Sequence, residues 1–119
     1  MSDRDTNTHA HDTRTLTIRK LNDHLRTTWT GGRVFLTLGV EEMGPQLMLR
    51  ALGLVRDFDD FGPDNDPFEE HDFGAITVDG EQLFWKIDYY DPDLTHGSPD
   101  PADEAVTCRV LTVLKASEW

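Results

Sequence analysis

The sequence predicts an α+β domain, with a four-stranded antiparallel sheet and two helices packed on one face, in the order α-β-α-β-β-β. Two stretches show the apolar periodicity of helices. Four short stretches are rich in β-branched and aromatic residues, and Asp79-Gly80 between two of them is typical of a tight hairpin turn. A chain of 119 residues is long enough for one such domain with a modest core.

The folded part of the chain is expected to be a single domain over residues 14–119. Residues 1–13 are polar and lack periodicity, which is typical of a disordered tail. The sequence has one cysteine, Cys108, so no internal disulfide is expected. It also has no apolar run as long as a membrane span. A cytoplasmic protein without a membrane partner is therefore predicted.

Both helices are predicted from apolar spacing and from the residues at their boundaries. The first, over about residues 15–28, places three apolar residues on one face, namely Ile18, Leu21 and Leu25. The second begins at Gly44-Pro45, because proline is tolerated in the first turn of a helix, and reaches about residue 56.

Four strands are predicted, over residues 33–38, 73–78, 83–90 and 105–114. Alternation in the third strand gives it one largely apolar face, formed by Leu83, Trp85, Ile87 and Tyr89. The last strand has a similar face, formed by Val106, Cys108, Val110 and Leu114. Cys108 is therefore predicted to be a core residue.

Charge is distributed very unevenly along the sequence, whose formal net charge is −12. Residues 1–56 contain eight Lys or Arg and six Asp or Glu, whereas residues 57–119 contain three and seventeen. A field of one sign repels phosphate and attracts basic surfaces. Direct binding of nucleic acid is therefore disfavoured, but binding to a protein that itself handles nucleic acid is allowed.

Two segments without Lys or Arg carry most of this negative charge. The first, which we call the acidic loop, is residues 57–72, with eight acidic residues among sixteen. Its three phenylalanines and two prolines predict an ordered loop. The second loop, residues 91–104, is acidic and rich in proline. Because the hairpin between them turns at one end of the sheet, both loops are expected at the other end, as a single negative edge.

This negative edge is the predicted interaction surface of a non-enzymatic binding module. Its partner would be a basic, nucleic-acid-handling protein or complex, and no cofactor or catalytic residue is expected. Charge would speed association, while the rings of Phe61 and Phe68 would act as exposed anchors. The predicted partner-binding residues are Asp57, Asp59, Asp60, Phe61, Asp64, Asp66, Phe68, Glu69, Glu70, Asp91, Asp93 and Asp100.

A divalent-cation site, in a metal-dependent hydrolase or a metal-binding regulator, is the alternative. The acidic loop offers the oxygen ligands that calcium prefers, although Phe61 and Phe68 occupy ligand positions in an EF-hand spacing. The residues concerned are Asp64, Asp66, Glu70, His71 and Asp72. No nucleophile motif accompanies His71, so we expect this side chain to hold the loop by hydrogen bonds rather than to act as a base.

Lys86 is the only Lys or Arg between residues 57 and 104. Alternation places it on a strand face with Asp88. An acid-x-lysine nuclease signature is not formed, because residue 84 is Phe. We expect Lys86 and Asp88 to form a cross-strand ion pair or to tie down the acidic loop, with the second role favoured for Lys86.

Several blocks of the sequence resemble, in one order, a bacterial family known only as domain of unknown function 3768. The block at the centre is Phe58-Asp59-Asp60-Phe61, and the others are residues 21–23, 31–32, 36–40, 64–67, 70–74, 84–91 and 109–112. Together they cover about residues 15–119. The resemblance implies a small bacterial protein, often carried on plasmids and other mobile elements, with no assigned activity. A mobile-element setting favours a counter-defence role, such as an anti-CRISPR or antirestriction inhibitor that partly mimics DNA.

Overall fold

Three helices and four strands make up the part of the chain that the computed structural model describes, residues 3–119 with side chains from residue 13 onward. The helices are α1 (Asp3–Thr28), α2 (Leu38–Glu41) and α3 (Pro45–Asp57). The strands are β1 (Arg33–Leu36), β2 (Phe73–Val78), β3 (Glu81–Tyr90) and β4 (Cys108–Lys115). Short 3-10 turns, Glu104–Val106 and Ala116–Glu118, flank β4. Helix α1 begins at Asp3, earlier than the predicted start near residue 15. The predicted disorder of residues 1–13 concerns mostly residues whose side chains are outside the described part, and it stays a prediction.

The α+β class is confirmed, but the antiparallel sheet with two helices is wrong in detail. The sheet is mixed, with strand order β1-β4-β3-β2 and with β1 parallel to β4. The other two pairings are antiparallel. Because α3 returns the chain from the end of β1 to the end of the sheet where β1 began, β2 runs in the direction of β1. Two reversals later β4 has that direction too, so it pairs with β1 in parallel. The additional helix, α2, is a single turn after β1.

The predicted element boundaries agree closely with the structure in the second half of the chain. Strand β2 occupies the predicted residues, and β3 begins two residues earlier than predicted. Strand β4 begins three residues later than predicted, after a 3-10 turn, and ends one residue later. Helix α3 begins after Gly44, with Pro45 in its first turn. The φ angle of Gly44 is +95°, in the region that favours glycine, so this residue lets the chain turn into the helix.

The core lies between the helices and one face of the sheet. On β3 the predicted face is confirmed, since Leu83, Trp85 and Ile87 are all buried. Buried residues from the neighbouring elements complete this core, namely Leu25, Val40, Ala51, Val55, Ile76, Val78, Leu111 and Val113. Trp85 is the largest of the fully buried side chains, and Phe58 and Phe61 contact its ring edge-on.

Strand β4 turns a different face to the helices from the one the apolar pattern predicts. Leu111 and Val113 pair with Ile87 and Trp85 and are fully buried, so the odd-numbered residues point into the core. The even-numbered residues lie on the opposite face of the sheet, and Cys108 among them is only partly buried. The prediction of Cys108 as a core residue is therefore wrong. Both faces of β4 are apolar, since Val110 and Leu114 are also buried, and alternation alone does not choose between them.

The topology brings the acidic loop and the second loop to the same end of the sheet. The acidic loop joins α3 to β2, and the second loop leads from β3 towards β4. The first residue of β2 pairs with Lys86, near the end of β3, while Tyr90 pairs with Cys108 at the start of β4. Both loops therefore leave the sheet opposite the hairpin turn, as the strand order along the sequence predicts. Among the described residues, no helix has both the length and the apolarity that crossing a membrane requires.

Candidate functional site

Both loops are joined to helix α1 through one buried amide, that of Asn22. The side chain is fully buried, and its Nδ2 donates hydrogen bonds to the Glu70 carbonyl oxygen at 3.0 Å and to the Tyr89 hydroxyl at 2.8 Å. Its Oδ1 accepts a hydrogen bond from Arg109 Nε at 2.9 Å. Arg109 also donates to the Pro101 carbonyl oxygen in the second loop. The amide of Asn22 thus connects the acidic loop directly and the second loop through Arg109.

Tyr89, which is partly buried, and Arg109, which is buried, pack beside Asn22. The Tyr89 hydroxyl donates a hydrogen bond to Glu70 Oε1 at 2.7 Å, and the Arg109 guanidinium lies 5.3 Å from the centre of the Tyr89 ring. Burial, followed by the hydrogen bond to Glu70, raises the pKa of Tyr89 well above its ordinary value. Burial likewise lowers the pKa of Arg109. Tyr89 is therefore a fixed neutral donor that holds the Glu70 carboxylate in place.

Arg26 fixes the other end of the acidic loop, where helix α3 ends. It is 5% exposed, and its Nη1 donates to the carbonyl oxygens of Val55, Arg56 and Phe58 at 2.8 to 3.1 Å. Carbonyl groups at a helix C-terminus lack partners within the helix, so a buried guanidinium both satisfies them and complements the helix dipole. Its Nη2 donates to Asp23 Oδ1 at 2.8 Å, which balances the buried charge.

His71 is held from three sides. Its Nδ1 lies 3.0 Å from Asp23 Oδ1, its ring stacks on Phe61 with centroids 3.8 Å apart, and its backbone N–H donates to Asp66 Oδ1 at 3.1 Å. The φ angle of His71 is +58° and that of Glu69 is +60°, which non-glycine residues seldom adopt. These contacts hold the loop in a strained backbone conformation, so the predicted structural role of His71 by hydrogen bonding fits its surroundings.

Asp72 is a carboxyl group in an unfavourable electrostatic setting. Burial, followed by the nearby carboxylates of Glu70 and Asp66, raises the pKa of Asp72 to about 6. A carboxyl group with such a pKa loses its proton only near neutral pH. Asp72 is therefore a partly buried carboxyl group with two other carboxylates close by.

Five of the predicted partner-binding carboxylates are exposed and unpaired. Within the described part of the chain they make no ion pair and no hydrogen bond, and they are Asp59, Asp60, Asp64, Glu69 and Asp93. Phe68 lies in the same loop with 75% of its surface exposed, as predicted for an anchor. These groups are the part of the predicted edge that remains free to interact.

The other predicted carboxylates are already engaged within the chain. Asp57 pairs with Arg56 at 2.9 Å, and Asp100 pairs with Arg14 at 3.0 Å. Asp91 accepts a hydrogen bond from the Thr95 backbone N–H, which holds the pKa of Asp91 below its ordinary value.

Two residues of the predicted edge are not part of its exposed surface. Asp66 is 5% exposed. Phe61 is partly buried and packs edge-on against Phe58 and Trp85, so the expectation of an exposed ring is wrong for Phe61. An aromatic residue between carboxylates can belong to the core when the loop folds back over it, and composition alone does not show that.

Lys86 does not take the role that was favoured for it. Its Nζ lies 2.8 Å from Asp88 Oδ2, two residues along the same strand. The ion pair is therefore within β3 rather than across strands, and the acidic loop is held by residues of α1 instead. Strand alternation places the two side chains on one face, where they are close enough to pair with each other.

The divalent-cation alternative involves groups that only partly converge. His71 Nε2 lies 3.9 Å from Asp66 Oδ2. In the described part of the chain, no group of three or more His, Cys, Asp or Glu side chains is arranged to hold a metal ion. The site predicted from Asp64, Asp66, Glu70, His71 and Asp72 stays a prediction.

The sequence reasoning missed the polar side of α1, whose Arg19, Asn22, Asp23 and Arg26 hold the acidic loop. Arg19 Nε donates to the Glu69 carbonyl oxygen at 2.7 Å, which adds a further contact to the three described above. A signal was present, because Asn22 lies between Ile18 and Leu25 on a helical face that otherwise reads as apolar. A buried polar residue needs hydrogen-bond partners. The acidic loop contains no Lys or Arg, so it was the segment that most required donors from another part of the chain.

Comparison with known proteins places the chain in a family. The family described as "Protein of unknown function (DUF3768)" matches residues 36–118, so the chain belongs to that family, as the resemblance predicted. The resembling blocks at residues 21–23 and 31–32 lie outside the matched stretch. Comparisons with curated proteins and with solved structures give no match.

Proposed function

We propose that the chain is a non-enzymatic binding module whose acidic loop docks on a basic, nucleic-acid-handling surface of another protein or complex. The observation that supports it most is a set of exposed carboxylates without partners, next to an exposed phenylalanine. These groups lie on a loop whose backbone is held by residues of α1. Asp59, Asp60, Asp64 and Glu69 have no cation to neutralise them in the described part of the chain. Phe68 is exposed among them.

The rigidity of the loop favours binding over mere solubility. Its backbone carbonyls are held by Arg19, Asn22 and Arg26, and its interior packs on Trp85 through Phe61. A surface that is ordered before binding loses less conformational entropy when a partner docks. Carboxylates that serve only solubility need no such support, because they work equally well on a mobile loop.

The narrower form of the proposal is a counter-defence inhibitor that competes with DNA for an anti-viral or restriction complex. Negative groups on a fixed scaffold can occupy a surface that otherwise binds phosphates. Charge would raise the association rate, and Phe68 would contribute to affinity by filling an apolar pocket on the partner.

Competition with DNA tests this form. A labelled duplex is bound to a purified Cas9–guide complex, a Cascade complex or a type I restriction enzyme, and the chain is added while fluorescence anisotropy is recorded. The proposal predicts displacement of the duplex from at least one complex. It also predicts that replacing Asp59, Asp60 and Asp64 by Asn weakens this displacement about tenfold.

A matched control removes three charges elsewhere. Glu41, Glu42 and Asp79 are exposed and lie outside both loops, so the variant with Gln at residues 41 and 42 and Asn at residue 79 has the same net charge as the loop variant. The control is expected to compete as well as the natural chain. Equal weakening by both variants would show that net charge, not the acidic loop, is responsible, and no displacement from any of the complexes would contradict the counter-defence form.

A divalent-cation-binding regulator remains the second candidate, because of the contact between His71 and Asp23. A metal-ligating histidine commonly donates its other ring N–H to a carboxylate, and His71 Nδ1 lies 3.0 Å from Asp23 Oδ1. Thermal melting with added calcium, magnesium, manganese or zinc tests it. A specific site predicts a higher Tm at micromolar ion, and an unchanged Tm at millimolar ion excludes it.

A further inference from the structure

A cavity of about 410 Å³ opens between α1 and the acidic loop. Its lining includes the ring of Phe61 and the prolines Pro63 and Pro67, together with the polar residues Asp66, Glu69 and His71. Apolar walls with a few polar groups are the usual make-up of a site that receives a side chain or a small ligand.

Two hydrogen-bond acceptors line this cavity without a donor between them. The Asp66 side chain is 4% exposed; its Oδ1 accepts the His71 backbone N–H, whereas its Oδ2 has no hydrogen bond among the described residues. His71 Nδ1 faces the Asp23 carboxylate, which only accepts, so Nδ1 carries a proton. In the neutral imidazole Nε2 is then an acceptor, 3.9 Å from Asp66 Oδ2.

We infer that this cavity binds the cationic end of a lysine or arginine side chain from the protein partner, between Asp66 Oδ2 and His71 Nε2. One ammonium nitrogen can lie about 2.9 Å from each of two acceptors with this separation, and a guanidinium can give one N–H to each. The aliphatic stem of the side chain would pack on the Phe61 and proline walls. The inference rests on the proposed function and names the chemistry of its partner contact.

The surrounding charge favours a cation over an anion. Asp66 and Glu69 both line the cavity, and the Glu69 carboxylate is exposed and unpaired. Arg19 also lines the cavity and keeps its positive charge while its Nε donates to the Glu69 carbonyl oxygen, so two carboxylates face one guanidinium there. The pKa of the nearby Asp72 is raised first by burial and then by the carboxylates of Glu70 and Asp66, so further negative groups lie close to the cavity.

Free amino-acid derivatives test the inference without the partner. The isotope-labelled chain is titrated with N-acetyl-arginine amide, N-acetyl-lysine amide and N-acetyl-citrulline amide, while NMR follows the His71 ring nitrogens and the backbone amides of Asp66 and His71. Citrulline has nearly the shape of arginine but no charge. The arginine or the lysine compound is expected to move these signals in a saturable way at millimolar concentration, and the citrulline compound is expected not to move them.

Two variants locate the binding. Asp66→Asn keeps an acceptor for the His71 N–H but removes the charge, and it is expected to weaken the effect about tenfold. Asp79→Asn, at an exposed residue outside both loops and outside the cavity lining, is expected to change it less than twofold. If Asp66→Asn does not fold, the comparison of arginine with citrulline on the natural chain still decides the matter.

Three outcomes overturn the inference. These are no saturable shift with either cationic compound, equal shifts with citrulline, and a response of His71 to micromolar zinc or manganese without one to the cationic compounds. Each of them leaves the docking proposal to be judged by the DNA competition experiment. Conversely, a positive result here with failed competition would leave the cation pocket intact and remove the counter-defence form.

Discussion

Asp72 is the ionisable side chain whose effect on the free energy of unfolding can be measured most directly. Its pKa in the folded chain is about 6, against an ordinary value of 3.8. The folded state therefore binds this proton more tightly than the unfolded state. The contribution of Asp72 to stability is present in full below pH 3.8 and is lost as the pH rises to about 6.

Asp72→Asn is expected to stabilise the protein at pH 7.5 and to have little effect at pH 3.5. A shift of about two pKa units corresponds to about 3 kcal/mol, and partial exposure reduces the expected gain to about 1 to 2 kcal/mol. Urea unfolding of both proteins between pH 3.5 and 7.5 measures the difference. Asp93→Asn removes one exposed, unpaired carboxylate and is the control, expected to change stability little at either pH. A gain for Asp72→Asn that does not depend on pH would contradict the raised pKa.

Substitution of Arg26 is expected to cause the largest loss of folding stability among the single changes proposed for this protein. Arg26→Met keeps much of the apolar stem but leaves the three carbonyl oxygens and Asp23 without their buried donor. We expect a loss of about 3 kcal/mol in the free energy of unfolding, measured in urea. Arg33→Met changes an exposed arginine and should lie within about 0.5 kcal/mol of the natural chain. A similar small effect for Arg26→Met would show that solvent replaces the guanidinium at the end of α3.

At the scale of elements, helix α1 acts as a clamp for both loops. The sequence predicted the helix and two of its buried residues, Ile18 and Leu25, from apolar spacing. It did not predict that α1 holds the two loops, because apolar spacing identifies which face of a helix is buried but not which loop lies against that face. Polar residues on that face have partners 29 to 50 positions away in sequence, such as Val55 for Arg26 and Glu70 for Asn22. Long-range pairing of this kind is decided by the tertiary fold rather than by local pattern.

Asn22→Ala is expected to loosen both loops together. The change removes the donor for the Glu70 carbonyl and the acceptor for Arg109, so about 2 to 3 kcal/mol of stability should be lost. Hydrogen exchange measures the effect locally, at Asp66 N–H in the acidic loop and Ser98 N–H in the second loop. Both amides should exchange faster relative to those of β3.

The control for this coupling lies within the acidic loop. Asn65 accepts the Gly62 N–H and donates to the Asp60 carbonyl, so its hydrogen bonds stay inside that loop. Asn65→Ala should speed exchange in the acidic loop and leave the second loop unchanged. If Asn22→Ala also left Ser98 protected, the second loop would be held independently of α1.

For the molecule as a whole, the sequence predicted the placement of charge better than the topology of the sheet. The acidic loop and the second loop lie at one end of the sheet because a hairpin separates them, and this follows from strand direction alone. The position of β1 did not follow, since a four-residue edge strand can pair with either edge of a hairpin-based sheet. The sequence also did not determine which face of β4 packs on the helices, because both faces of this strand are apolar.

Only part of the predicted edge remains free in the folded protein. Five carboxylates and Phe68 are exposed, whereas Asp57, Asp66 and Asp100 are paired or buried. The pairing of Asp100, for example, depends on the contact that Arg14 of α1 makes with the second loop. The sequence gives the sum of the charges, but the fold decides which of them a partner can reach.

The most direct test of the central claim uses a DNA-binding complex from which the chain displaces DNA. It measures how the affinity of the chain for that complex depends on salt. Affinity is measured over a range of ionic strength for the natural chain, for the loop variant with Asn at residues 59, 60 and 64, and for the control variant changed at residues 41, 42 and 79. The account predicts that affinity falls steeply with salt for the natural chain and the control, and more weakly for the loop variant. Identical salt dependence for all three proteins would contradict the claim that the acidic loop is the docking surface.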